Sequence, residues 1–465
     1  MNIVLLSGGS GKRLWPLSND VRSKQFIKLF RLSDGSYESM VQRVYRQIRE
    51  TDPDASVTIA TAKSQVSAIR NQLGEHVSVC IEPVRRDTFP AIALASAFLH
   101  DRLHVGGEEP VVVCPVDPYV DDAYFEKLKE LSDYAAKGGA GLTLMGIEPT
   151  YPSEKYGYII PETKDEVSMV REFREKPDLE TAENYIKRGG LWNAGVFAFK
   201  LSYLLDKAHS LIDFRDYEDL FAKYAALTKI SFDYAVAEKE KSIRVLRYAG
   251  EWKDVGTWNT MSEVMTERAK GNAIFDDACE NVNVVNELDM PILVCGAKNM
   301  VIAASGDGIL VADKHQSAYM KPYVEKISEP VHFAEKSWGS YTVIDAGCGY
   351  LNVKVDLRPG NRMTYHSHEY RREVWTVLSG TGTAVVDGVK TQIGPGDVVK
   401  MPAGAKHTVI AESEMIILEC QIGENISVKD KTKYPYEGVV DPGIAKADRE
   451  CFIRADVPGG ALPNG

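Results

Sequence analysis

The sequence predicts an α/β protein followed by a β-rich linker and a small all-β barrel, and three changes of texture carry that prediction. Over residues 1–270 short apolar runs alternate with helix-like stretches, the pattern of parallel strands joined by helical crossovers. Over 271–335 short runs such as NVNVV, PILVCG and MVIAAS are broken every few residues by Asn, Asp, Gly or Lys, which leaves little room for helices. Over 336–432 runs such as YTVID, LNVKVDL, GTAVVDG and MIILECQI alternate apolar with polar, the signature of an antiparallel barrel or jelly roll. Residues 433–465 carry fewer apolar runs and read as a C-terminal tail.

In the first region, Asn2–Leu6 suits a buried strand that stops at Ser7-Gly8-Gly9-Ser10-Gly11, with Lys12 and Arg13 directly after. Glycine has no Cβ to block approach, so such a turn can aim backbone N–H groups at an anion. Lys12, Arg13 and Lys24 supply charge for a polyphosphate. The turn is not a Walker A loop, because Leu6 stands five before Gly11 and Arg13 follows the lysine instead of Ser or Thr. Further strands are expected at Val57–Thr61, Val77–Ile81, Val111–Val116, Leu142–Ile147, Val196–Phe199 and Ile243–Tyr248. Helices are expected at Ala91–Leu103 and Tyr124–Lys137, the second stopped by Gly138-Gly139. Open parallel sheets bind ligands beyond the carboxyl ends of their strands, which gathers the glycine turn, Asp117 and the residues after Cys80 around one crevice. The linker reads as a small solenoid of parallel rungs, with a left-handed β-helix as one option and a structural spacer as its ordinary role.

Composition narrows the partners. The 465 residues exceed one core and suggest several domains. A net charge of −11 argues against nucleic acid or an anionic membrane as the main partner. No apolar run reaches the ~18 residues of a membrane span, and the N-terminus lacks the basic stretch of a signal peptide. The seven cysteines are scattered without a C-x-x-C pair and read as reduced thiols of a cytoplasmic protein.

Further along lie Glu82-Pro83-Val84-Arg85-Arg86-Asp87-Thr88, the VVVCPVD run ending at Asp117, YGYII at 156–160, REKP at 174–177, LWNAGVFAF at 191–199 and WKDVGTWN around Asp254. With GGSGKRLWPLS and SKQF near the start, this ordered set resembles the mannose-1-phosphate guanylyltransferase family of sugar-nucleotide pyrophosphorylases over essentially the first 330 residues. The resemblance implies a Rossmann-like nucleotidyltransferase domain of glycosyltransferase-A-like type. It implies that a sugar-1-phosphate oxygen attacks the α-phosphorus of a nucleoside triphosphate and releases pyrophosphate. By the same resemblance Gly8, Gly9, Ser10, Gly11, Lys12 and Arg13 hold the triphosphate and Lys24 grips it from the other side. Glu82, Arg86, Asp87 and Thr88 fall to the nucleotide, and Asp117 and Asp254 to Mg²⁺. Gly157, Glu175, Asn193 and Gly195 match sugar contacts, and Lys176 reaches the sugar's phosphate.

The family has Gly-Arg-Asn-Thr where this chain has Arg85-Arg86-Asp87-Thr88, and Ala-Asp-His where it has Val116-Asp117-Pro118. Replacing Asn by Asp exchanges a donor–acceptor amide for an acceptor-only group near the base. GTP leads as the nucleotide, with CTP or another base open, and the sugar follows from resemblance alone.

In the barrel region, His366 and His368 alternate onto one strand face, and Glu373 and His407 can join them from neighbouring strands. Three imidazoles and a carboxylate suit Zn²⁺, Fe²⁺, Mn²⁺ or Ni²⁺. Spaced among Gly360, Gly380, Gly396, Pro402 and Gly404, these residues resemble a cupin. Its place behind a guanylyltransferase resembles bifunctional enzymes that carry a mannose-6-phosphate isomerase. That isomerase type has Gln at the position of His366 and a histidine-rich run where this chain has Glu369, Tyr370 and Val374. Arg362 and Lys406 are the candidate proton-moving groups. The alternatives are a cupin that binds without turnover, does other small-molecule chemistry, or serves a homodimer contact. A scaffold with a degenerate transferase domain is the rival from another class, and the joint presence of Arg13, Lys24, Asp117, Glu175, Lys176 and Asp254 speaks against it.

Overall fold

The computed structural model describes residues 1–8, 12–19, 21–327, 331–424, 426–427 and 429–436. Gly9, Ser10 and Gly11 of the glycine turn, and the tail from 437, lie outside the described residues. The chain forms two compact units, Met1–Ser10 with Gln25–Val66 and His76–Thr266, and Gly11–Lys24 with Ser67–Glu75 and Glu267–Gly465.

The first unit is built on nine strands: β1 (Asn2–Leu6), β2 (Ser56–Ala62), β3 (Ser78–Glu82), β4 (Pro110–Pro115), β5 (Leu142–Ile147), β6 (Tyr158–Pro161), β7 (Val167–Arg174), β8 (Leu191–Lys200) and β9 (Ile243–Tyr248). Their order across the sheet is β3-β2-β1-β4-β8-β5-β9-β7-β6. Strands β3, β2, β1 and β4 run parallel, with Ile3, Val4 and Leu5 of the inner strand buried on both faces as such strands require. Strand β8 enters from the opposite end and pairs antiparallel with β4 and β5, so the sheet is mixed where alternation alone suggested parallel strands. The reversal follows the β6–β7 antiparallel excursion just before it.

The helix expected from Ala91 begins at Thr88 instead, where the Asp87 side chain accepts from the Thr88 N–H at 2.8 Å, and runs to Asp101. It is apolar all round because it is buried all round, from Phe89 through Ala97. The helix Ala123–Lys137 ends at Gly138, whose φ of 73° lets the chain turn away.

In the second unit Ala269–Lys270, Asn283–Asn286 and Met300–Ser305 stack as parallel rungs, with Gly308–Asp313 closing the stack antiparallel. Ala273–Phe275 and Ile292–Val294 form a second parallel pair, around a small core of Val282, Val284, Val294 and Ile302. Against these rungs lies the segment following the glycine turn. Ser305 Oγ donates to the Pro16 carbonyl at 2.8 Å, and Arg22 makes two bonds, 2.6 and 3.0 Å, to Glu287. Asn71 similarly donates to the carbonyls of Lys336 and Gly339 and receives Arg358. Linear boundaries at 270 assign residues 12–24 and 67–75 to the first domain; their packing groups them with the second unit, through side chains that no local pattern announces.

The barrel comprises a six-stranded sheet and a five-stranded sheet around Trp375, Val377, Met401, Val409 and Ile417. Among the described residues no helix is long and apolar enough to cross a membrane.

Candidate functional site

Two candidate sites stand out, one in each unit. In the first unit a cavity of about 230 Å³ is lined by Asp117, Gly157, Glu175, Asn193, Gly195, Asp233 and Asp254, with Tyr156 and Trp252 among its walls. Chain positions more than a hundred residues apart meet there through a short ribbon: Pro118–Val120 pairs antiparallel with Trp252–Asp254, and Asp254 sits opposite Pro118, next to Asp117. The two carboxylates on one cavity wall give an all-oxygen donor set that leaves most positions of a hard cation to water and phosphate. That donor set fits Mg²⁺.

The residues that the resemblance assigns to the sugar are equally constrained. Strand β8 bulges between Asn193 and Phe197, and Gly195 adopts a φ of 69° there, turning Asn193–Gly195 toward the cavity. Gly157 leaves room for a different reason: a Cβ on it would stand 2.5 Å from Glu175 Oε2, so the carboxylate would have to shift. Glu175 is buried and its carboxylate is ion-paired with the Lys176 ammonium. Asn193 donates to Asp233 Oδ1 at 2.7 Å while its Oδ1 accepts from the Gly195 N–H at 3.0 Å. Burial, and then the nearby Glu175, push the Asp233 carboxyl up to about 7, against the pull of Asn193 and Lys176. Asp233 was not among the residues singled out by sequence; its only local mark is a short helix, Phe232–Ala235, capped by Ser231.

Elsewhere in this unit β1 ends at the glycine turn, with the Ser7 N–H bonded to the Ala60 carbonyl at 2.9 Å and Gln25 donating to both oxygens of Ser7. Glu82, at the end of β3, stands beside Gly8: a Cβ there would be 3.6 Å from Glu82 Oε1. Its carboxyl, pushed up by burial, accepts from Tyr224 at 2.9 Å. Arg86 donates to the Ala225 carbonyl, and Thr88 Oγ1 accepts from the Phe232 N–H at 2.8 Å, which ties the Asp87 cap to the segment bearing Asp233. In the second unit, Lys12 and Arg13 lie in a single 3₁₀ turn, Lys12–Leu14, with Arg13 exposed, and Lys24 opens another, Lys24–Phe26.

Inside the barrel His366, His368, Glu373 and His407 are all buried, with one donor atom from each lying within 4.8 Å of the others. The imidazoles are oriented from behind. Nδ1 of His366 faces the Thr364 carbonyl at 2.6 Å, Nδ1 of His407 the Ala405 carbonyl at 2.9 Å, and Nδ1 of His368 the Asp430 carbonyl. Each Nδ1 therefore carries the proton, and each Nε2 presents a lone pair. His407 Nε2 then stands 3.1 Å from Glu373 Oε2, and His368 Nε2 3.0 Å from Glu373 Oε1. Lone pairs would face lone pairs in a dry interior, and both His407 Nε2 and Glu373 Oε2 lack a hydrogen-bond partner. A divalent cation at their centre resolves that conflict, so the residues fit a metal.

Sequence reasoning missed three neighbours. Arg371 donates to Glu373 Oε1 at 3.2 Å and contacts His368 Nε2 at 3.1 Å. Glu419 receives Trp375 Nε1 at 3.1 Å and Gln421 at 2.5 Å. Burial and Glu373 push its carboxyl up to about 7. Lys431 is the third. Alternation along the strand from Glu373 back to Arg371 was the one available signal. Arg362 and Lys406 instead lie over the rings of Tyr436 and Tyr434, at 5.0 and 4.3 Å.

The nucleotidyl transferase family profile matches residues 2–271, more than half of the chain, and the cupin domain profile matches 353–420. The mannose-1-phosphate guanylyltransferase of Escherichia coli K12 is 30% identical over 87% of this chain and 91% of its own length. The chain belongs to the mannose-1-phosphate guanylyltransferase family. The xanthan biosynthesis protein XanB of Xanthomonas campestris is 29% identical over 93% of this chain and 97% of that protein. A crystal structure described as a mannose-1-phosphate geranyltransferase from Thermus thermophilus is 27% identical and superposes with a TM-score of 0.57, covering 70% of this chain and 99% of that one.

Proposed function

We propose that the protein converts mannose 1-phosphate and GTP to GDP-mannose and pyrophosphate. The supporting observation is the cavity: six residues assigned by resemblance, Asp117, Gly157, Glu175, Asn193, Gly195 and Asp254, line one space in a chain of this family. The sugar-phosphate oxygen attacks the α-phosphorus while the bond to the bridging oxygen breaks and pyrophosphate departs. That reaction needs alignment and charge neutralisation more than a protein nucleophile.

In this reading Asn193, Glu175 and the Gly195 backbone hold the sugar hydroxyls, and Lys176 holds the sugar's phosphate. Gly8–Gly11, Lys12, Arg13 and Lys24 hold the triphosphate. Glu82, Arg86, Asp87 and Thr88 lie toward the base. Mg²⁺ on Asp117 and Asp254 supplies charge neutralisation for the phosphates when bound. The reaction belongs in the cytoplasm, where its triphosphate substrate is made, and its product would feed surface polysaccharide.

The barrel supports a second activity, interconversion of mannose 6-phosphate and fructose 6-phosphate. Its carrying observation is the set of oriented imidazoles around Glu373 with unmatched lone pairs. The metal when bound would polarise the sugar's oxygens, and Glu419 is a buried carboxyl suited to hold a proton near neutral pH.

One panel tests both readings. Purified protein is assayed for pyrophosphate release with each nucleoside triphosphate against several sugar 1-phosphates, and separately for fructose 6-phosphate formation. Release with GTP and mannose 1-phosphate above all other pairs is expected. Release confined to another pair, or none, removes the assignment.

A further inference from the structure

Beside the metal group runs a strand whose charge neither reading uses. Thr432–Lys433 pairs antiparallel with His366–Ser367, placing Lys433 opposite His366 and Thr432 opposite Ser367. Cross-strand partners share a face, so Lys433 lies on the face that carries His366, and Lys431, just before the strand, is near enough to His366 to act on its charge. The preceding residue is pinned. Asp430 accepts from the N–H groups of Glu369 and Tyr370 at 2.8 and 3.2 Å, and its carbonyl holds His368.

Several cations gather in this neighbourhood. Lys431 acts electrostatically on His366, Glu373 and Glu419, and is itself acted on by Lys433 and Arg371; Lys433 in turn acts on Lys336. Among these groups the carboxylates are Glu373 and Glu419, facing Arg371, Lys431, Lys433 and Lys336. A divalent ion on the histidines adds two more positive charges. Lys431 and Lys433 both reach solvent, although enough protein crowds Lys431 to push its ammonium down to about 8. Like charges are held together at some cost here, which an arriving dianion would relieve.

We propose that Lys431 and Lys433 form the seat for a phosphate monoester, so that the barrel takes a phosphorylated sugar with its phosphate on the lysines and its carbonyl end toward the metal group. The sugar part rests on the isomerase reading; the phosphate seat does not. The seat supplies two charge-assisted contacts of the kind that bind phosphate as point charges.

The test uses the full chain, stripped with chelator and reloaded with cobalt, whose visible absorption reports on the barrel. Inorganic phosphate and mannose 6-phosphate are each expected to shift the spectrum, and unphosphorylated mannose is not. Lys431→Ala and Lys433→Ala are expected to raise the half-saturating concentration of both anions by about tenfold or more. Lys433→Arg should stay near wild type, and cobalt stoichiometry and pyrophosphate release should be unchanged in all three. No shift with either anion, or a change below that size in both alanine variants, overturns the seat. The isomerase reading fails separately: a lysine-dependent shift without fructose 6-phosphate formation keeps the seat and removes the isomerase. Sugar conversion with an unchanged KM in both alanine variants does the reverse.

Discussion

Asn193 donates its side-chain N–H to Asp233 at 2.7 Å, and that bond fixes which way the amide faces the cavity. Its oxygen is thereby committed to the Gly195 N–H at 3.0 Å. Because burial and Glu175 push the Asp233 carboxyl up to about 7, the folded state binds a proton there that the unfolded state releases near pH 4. The contribution of Asp233 to stability is therefore lost as pH rises from about 4 through 7. Asp233→Asn removes that loss, so its melting temperature minus that of wild type should grow across the interval. A difference flat with pH in scanning fluorimetry would contradict the assignment.

Asp117→Ala and Asp254→Ala should each lower pyrophosphate release by about a hundredfold to a thousandfold, with far-ultraviolet circular dichroism unchanged. Both carboxylates line the cavity, Asp117 half-buried and Asp254 exposed. Rates near wild type would place the cation elsewhere.

Gly157→Ala tests the close approach on the sugar side. The added methyl would stand 2.5 Å from Glu175 Oε2, so the carboxylate and its Lys176 partner must shift. A displacement of that size should cost about a hundredfold in kcat/KM for the sugar phosphate. The KM for the nucleotide should change little.

In the barrel, His407→Ala should drop bound metal close to zero by elemental analysis, and chelation of wild type should lower its melting temperature. Without the ion, Glu373 faces imidazole lone pairs at 3.0 and 3.1 Å in a buried setting. Melting that ignores chelator would mean that the group holds no ion in solution.

Arg22→Ala should destabilise the second unit by about 3–5 kcal/mol, read by urea unfolding, because it strands the Glu287 carboxylate. Burial pushes that carboxyl up, but Arg22 and Lys270 outweigh it and hold it below its ordinary value. The pair's contribution is present at neutral pH and is lost as acid titrates Glu287. Arg22→Met with Glu287→Leu should recover most of the loss.

Legibility in the sequence followed how local each cause was. Leu142–Ile147 and Ile243–Tyr248 appear at the expected bounds because each is a short, mostly apolar run flanked by Gly, Pro or charged residues. Strand β8 spans Leu191–Lys200 where Val196–Phe199 was expected, since the bulge at Asn193–Phe197 interrupts the alternation that marks a strand. Its direction depends on where the chain has been, which no window of residues records. The metal group was legible because strand alternation itself puts His366 and His368 on one face. Asp233 was not, because its partners Asn193 and Glu175 are brought to it only by the folded sheet. Lys431 was hidden for the same reason, as its place depends on the register between two strands far apart in the chain.

The seat of residues 12–24 on the parallel rungs bears on how this chain can be recombined. A cut near residue 270 looks natural on paper, yet it would separate Arg22 from Glu287 and Pro16 from Ser305. The donor fragment would keep Lys12 and Lys24 and lose the partners that Pro16 and Arg22 hold in the rungs. Exchange of the rungs between relatives should therefore succeed only when the loop travels with them, making the two segments a single unit of inheritance although the chain writes them some 250 residues apart.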